Sequence, residues 1–314
     1  MSQSHILPNT TFHAEDAVRS FFSKHKWPVG YQEAYIRNLQ QCPKRFYLID
    51  DSGSMMTADA VRLVQMEGKI IEETTTRWTE LQEMIHFHGG LCTAAKCLTE
   101  FRFLNQNTPI LIGGPDDDGK NFQKLMDSFE IQPKYMTPLC KHIREVVTQI
   151  SEMSSDLIAN GQKVKLIITT DGEASDGNIA QAMKPLKHLP VWVVVRLFTS
   201  SQTINDYWAN IDSEIELSLD VVQSHIFEAE EIYPLNPWLN YSLPLHRLRE
   251  TGITFREADF IDEKRLTADQ IRNFCLFMYS QYFCIYCLHF SDMVQIIKTD
   301  YLILKWIYVV LSIF

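Results

Sequence analysis

The side chains best placed for chemistry in this 314-residue chain are oxygen donors that follow apolar runs. RFYLID (45–50) leads into Asp51-Ser52-Gly53-Ser54, and VKLIITT (164–170) leads into Asp171-Gly172-Glu173, with Ser175 and Asp176 beyond. Between them Thr137-Pro138-Leu139 opens a stretch with Leu139, Ile143, Val146, Val147 and Ile150 at helical spacing. That places Thr137 at the expected N-cap. Asp50, Ser52, Ser54, Thr137 and Asp171 would then bring two carboxylates and three hydroxyls together from three loops. No Cys or His stands among them. Such a hard-oxygen set suits Mg2+, Mn2+ or, less tightly, Ca2+, and is wrong for zinc.

Three loops converge only if a scaffold aligns them. From Arg45 to about Gln223 apolar strands alternate with helical patterns: 45–50, 98–105, 108–114, 164–170, 191–198 and 219–222 read as strands. Residues 60–75 read as a small hairpin set into the alternation. Trp78, Leu81, Ile85 and His88 mark a helix that Gly89-Gly90 is expected to end. Helices are expected also over 122–129, from Pro138 onward, over 178–188 and over 203–211. Strands this apolar, alternating with helices, predict a doubly wound, mostly parallel α/β sheet covered on both faces. Ligands bind such sheets beyond the carboxyl ends of the strands, where these donors stand.

In that order and spacing, Asp50-Asp51-Ser52-Gly53-Ser54, Thr137 and Thr170-Asp171-Gly172 resemble the metal-ion-dependent adhesion site of von Willebrand factor type A domains. The resemblance covers roughly residues 44–223. It implies that the Ser52 and Ser54 hydroxyls ligate a metal directly and that Asp50 and Asp171 act largely through coordinated water. Thr137 would act directly or through water, and a partner's Asp or Glu would complete the shell. Neutral hydroxyls leave the ion's charge under-neutralised, so its open position favours an anion. Two departures stand out. Tyr135 and Met136 precede the threonine where small residues are usual, predicting a tighter or reshaped loop. Asp51 adds a third carboxylate, which either strengthens metal binding or faces solvent.

Composition narrows the function classes. Hydrophobic residues make up 46% and charged residues 22%, as in soluble globular domains, and the net charge of -10 argues against nucleic acid or an anionic membrane surface. Seven unclustered cysteines read as reduced thiols in the cytoplasm. The beginning of the sequence lacks the basic and apolar regions of a secretory signal. No phosphate-binding glycine loop or nucleophile elbow occurs, and no base stands free beside the carboxylates. The expectation is a non-catalytic domain that binds a protein through Mg2+, with Mn2+ as the other candidate ion. A metal-dependent phosphoester hydrolase is the alternative.

Outside the sheet region, residues 1–43 read as a helical segment without chemistry. Residues 224–273 read as an accessory element packed on the sheet domain, rich in Trp238, Tyr241, Leu245 and Leu248. Thr267 and Gln270 have capping-box spacing. His86 and His88 are expected at the surface or as caps, and Asp116-Asp117-Asp118 as a solvated turn. Residues 274–314 hold four charges and 11 aromatics. They admit three readings: a membrane anchor, a hydrophobic hairpin, or a C-terminus foreign to the domain. The anchor would make the protein a membrane-tethered adaptor, yet Tyr301–Phe314 spans only about 21 Å as a helix against a core of about 30 Å.

Overall fold

A computed structural model describes residues 13–279 apart from 67–68, 115–116, 216, 218 and 254. Its sheet is built from β1 (Lys44–Ile49), β4 (Leu98–Phe103), β5 (Ile110–Ile112), β6 (Val164–Thr170), β7 (Val191–Leu197) and β8 (Leu219–Val222), in the order β5-β4-β1-β6-β7-β8. All neighbours pair in parallel except β4 and β5, which are antiparallel. The expected hairpin forms a separate two-stranded ribbon of β2 (Ala60–Met66) and β3 (Lys69–Thr75).

Burial on both faces explains the near-continuous apolar strands. Phe46, Leu48, Leu166, Ile168, Val193 and Val195 pack on one face with α5 (Leu139–Ala159), α6 (Ile179–Met183) and α7 (Gln202–Ile215). The alternate positions, Tyr47, Ile49, Ile167 and Val194, pack on the other with α3 (Arg77–Ala95) and α4 (Asn121–Ser128). This is the period of two expected of a strand. Leaving out the hairpin, the strand order is that of a doubly wound fold, with its switch point between β1 and β6.

A third cluster joins Val18 and Phe22 of α1 (His13–Lys24), Tyr31 and Tyr35 of α2 (Val29–Gln41), and Phe87 and Leu91 of α3. To it α8 (His225–Ile232), α9 (Leu243–Glu250) and α10 (Ala268–Tyr279) add Ile232, Leu245, Leu248 and Phe274. The capping box forms at the start of α10: Thr267 N–H donates to Gln270 Oε1 at 2.9 Å, and Gln270 N–H to Thr267 Oγ1 at 3.3 Å. Among the described residues no helix is long and apolar enough to cross a membrane. Residues 280–314, most of the aromatic tail, lie outside the described residues.

Two local expectations fail. Gly89 and Gly90 do not end α3, which runs on to Ala95 and stops at Lys96 in the left-handed region. The glycines serve packing instead: a Cβ at Gly89 would sit 3.0 Å from the Phe122 ring and 3.1 Å from Leu125, and one at Gly90 would sit 3.2 Å from Phe21. His88 is neither a surface residue nor a cap. It is buried, with Nε2 2.9 Å from Glu250 Oε2.

Candidate metal centre

The candidate residues collect at the carboxyl end of β1, at the switch point. Asp50 directly follows the strand, its N–H donating to Thr169 O at 3.0 Å. Its carboxylate is fully buried: Oδ1 accepts the Ser52 N–H at 3.0 Å, and Oδ2 accepts the Thr170 hydroxyl at 2.6 Å. Burial is the main force raising its pKa to about 6, against those hydrogen bonds and with a smaller push from Asp171. From there the donors form a chain. Ser52 Oγ lies 3.1 Å from Ser54 Oγ, and Ser54 Oγ donates to Asp171 Oδ1 at 2.9 Å. Asp171 Oδ2 accepts from Arg77 Nη1 at 2.7 Å.

Ser52, Ser54 and Asp171 are thus brought together beside Asp50. Thr137 joins them only by position. Pro138, not Thr137, occupies the N-cap of α5, so the helix begins one residue later than the sequence implied. The Thr137 N–H donates to Ser175 Oγ at 3.1 Å and its carbonyl accepts the Ser175 N–H at 2.9 Å. Among the described residues no hydrogen bond links its side chain to the other four. The start of α5 is capped from outside by Asp176, which accepts from Cys140 N–H at 2.9 Å and Lys141 N–H at 2.8 Å.

Asp51 does not face solvent but is buried. Its Oδ1 accepts the Asn105 N–H at 2.8 Å and Nδ2–H at 2.9 Å, which turns the carboxylate toward the segment after β4. The backbone around it fastens the neighbouring loop: Lys134 N–H donates to Asp51 O at 2.9 Å, Gly53 N–H to Tyr135 O at 3.2 Å, and Asn105 Nδ2 to Met136 O at 3.0 Å. Tyr135 in this loop has a φ of 69°, unusual for a side chain of its size. Tyr135 and Met136 point outward, 76% and 67% exposed, and Met56 is exposed on the loop after Ser54.

Sequence reasoning passed over Arg77. It opens α3 just after the N-cap Thr76, where a cation opposes the helix dipole, and that misfit was the available signal. Its Nε and Nη2 hold Asp59 at 2.7 and 2.5 Å while Nη1 reaches Asp171. These carboxylates, Asp59 first, raise its pKa, so it is charged at any ordinary pH.

The donor set fits a hard divalent ion. Asp50 is a buried carboxylate with no ion-pair partner among the described residues, beside two hydroxyls and a second carboxylate. Among the described residues no three His, Cys, Asp or Glu side chains gather as a metal site. Any ion here would therefore draw on the Ser hydroxyls, as Mg2+ and Mn2+ can.

Neither a protein-family model nor a curated protein sequence matches the chain significantly. Among solved structures it is similar to the conserved hypothetical protein BatB from Bacteroides thetaiotaomicron, at 13% identity and a TM-score of 0.39, over 61% of this chain and 95% of that one. It is also similar to the SpRpn10 VWA domain, at 12% identity and a TM-score of 0.37, over 57% of this chain and 87% of that one. Likenesses this remote add nothing to the fold assignment, which rests on the strand order.

Proposed function

We propose that this chain is a non-catalytic protein-interaction domain that captures a partner's Asp or Glu through a divalent metal. Asp50, Ser52, Ser54 and Asp171 would hold the ion, with Thr137 at the rim. The observation that carries the reading is the buried Asp50 carboxylate, without a cation of its own, at the head of the Ser52–Ser54–Asp171 chain. The resemblance of these loops to the adhesion motif points the same way. When bound, Mg2+ or Mn2+ would supply a positive charge that neutral hydroxyls leave partly unmet and that a carboxylate satisfies. Tyr135, Met136 and Met56 are exposed on the loops that carry Thr137 and Ser54, and aromatic and methionine side chains are favoured anchors at protein interfaces. We place this binding in the cytoplasm, where buried thiols such as Cys92 and Cys97 stay reduced.

A random peptide library panned on the full chain in Mg2+ and eluted with EDTA tests the reading. Wild type should enrich peptides that carry Asp or Glu, and Asp50→Ala and Ser54→Ala should not. Enrichment indifferent to EDTA and to both substitutions would refute it.

A further inference from the structure

The guanidinium of Arg77 lies against the proposed metal site, and a cation there is at odds with metal capture. It is also the wrong charge for the first turn of α3. Three contacts nevertheless fix it there. The Arg77 backbone N–H donates to Thr57 O at 3.1 Å, Asp59 grips Nε and Nη2, and Nη1 reaches Asp171. Asp59 is exposed and the Arg77 side chain only 13% exposed, and the bidentate pair sets the plane of the fork and aims its remaining nitrogen inward. Both oxygens of Asp171 are consequently engaged, one by Ser54 and one by Arg77.

We infer that Arg77 is an internal counter-cation that makes metal capture conditional on an external anion. The inference rests on reading Asp50, Ser52, Ser54 and Asp171 as a metal site. Without Arg77 a divalent ion would meet two negative charges, from Asp50 and Asp171. With it, a guanidinium shared between Asp59 and Asp171 offsets part of the Asp171 charge, and the ion keeps more of its positive charge for a carboxylate to cancel. Metal alone therefore binds weakly, and metal and carboxylate strengthen each other to the same extent. The partner class that follows is an acidic side chain that arrives with, or just after, the ion. A neutral ligand would not complete the site.

Mn2+ titration of the full chain, with free ion followed by electron paramagnetic resonance, tests this in wild type, Arg77→Gln and Arg77→Lys. Arg77→Gln should bind Mn2+ at least roughly tenfold more tightly, since a unit charge a few ångströms away is removed. Arg77→Lys keeps the charge and should stay near wild type. Acetate at saturating concentration should tighten Mn2+ binding by wild type more than by Arg77→Gln. Arg77→Met serves the same purpose should the Gln variant fail to fold, as judged by circular dichroism. Equal or weaker binding by Arg77→Gln, still abolished by Asp50→Ala, would overturn the inference alone and leave Arg77 as a positioning residue for Asp171. Tightening that survives Asp50→Ala would also overturn it, because the ion would sit elsewhere. No Mn2+ binding by any variant at millimolar concentration would overturn the inference and the metal site together.

Discussion

Replacing Glu250 with Gln should destabilise the whole protein by about 3–5 kcal/mol, the usual result of removing one member of a buried ion pair. The Glu250 carboxylate on α9 is fully buried and shared among several elements. Arg196 Nε on β7 lies 3.0 Å from Oε1, and Arg247 Nη1 lies 2.9 and 2.8 Å from the two oxygens. His88 on α3 lies 2.9 Å from Oε2. His246 Nε2 lies 3.1 Å from Oε1 without hydrogen-bond geometry. Burial would raise the pKa of Glu250, but Arg247 and His246 lead a set of attractions that hold it well below the usual carboxylate range. Burial lowers the pKa of both histidines, that of His246 to about 3, so the charge balance rests on Arg196 and Arg247 against Glu250 and Glu80. With Gln at 250, Arg196 keeps Glu80 and Arg247 is left without its carboxylate. For a chain of this size each kcal/mol moves Tm by about 1.5 °C, so the midpoint should fall by about 5–8 °C. Urea and thermal unfolding followed by circular dichroism read both quantities. Adding Arg247→Met should recover part of the loss by removing the stranded cation. A Glu250→Gln loss under about 1 kcal/mol would refute the argument, because desolvated partners cannot lose their counter-charge so cheaply.

Other consequences are as open to measurement. Lys165 is fully buried, and its ammonium points at the Thr251 carbonyl; burial is the main cause that lowers its pKa to about 7. Between pH 7 and about 10.4 the unfolded chain holds a proton on this lysine that the folded chain does not, so stability should rise with pH across that window. Lys165→Met should remove this contribution to the slope in pH-dependent urea titrations. Gly113→Ala should cost about 2 kcal/mol or more in the same assay, because φ is 75° and a Cβ would lie 2.4 Å from the Cys97 carbonyl oxygen. Gly89→Ala should be close to neutral. Its helix-propensity gain of about 1 kcal/mol offsets contacts with the yielding ends of Phe122 and Leu125. Tyr135→Ala should weaken a metal-selected peptide roughly tenfold, measured by fluorescence anisotropy, with Mn2+ affinity unchanged.

Elements with a local signature were legible in the sequence. β6 and β7 are apolar enough to be buried on both faces, the ribbon at 60–75 alternates, and Thr267 and Gln270 carry their cap within four residues. The alternation of strands and helices also located the edge at which Asp50 and Asp171 meet. What escaped notice depends on distant partners. Gly89-Gly90 looks like a helix end until Phe21 and Phe122 are found against it. His88 looks like a surface residue until Glu250, 162 positions away, is found beside it. Asp51 resembles a third ligand because nothing local reveals Asn105. Arg77 was readable only as a cation out of place in a first turn, and its meaning required Asp171, 94 positions on.

α3 has 19 residues and so extends about 28 Å. Its first turn carries Arg77, which reaches Asp171, and Glu80, which pairs with Arg196. Three turns further on, His88 meets Glu250. The two contacts are joined by one unbroken stretch of helix, which contains no glycine and continues past His88 through Gly89-Gly90 to Ala95. A ligand that pulled Arg77 off Asp171 by tilting the rod would work against α9 three turns along, at His88, and the accessory helix would then act as a spring opposing occupancy. If only the guanidinium swung, α9 would stay at rest. The mechanical load on the accessory segment is thus set by whether the site opens through a side chain or through a helix.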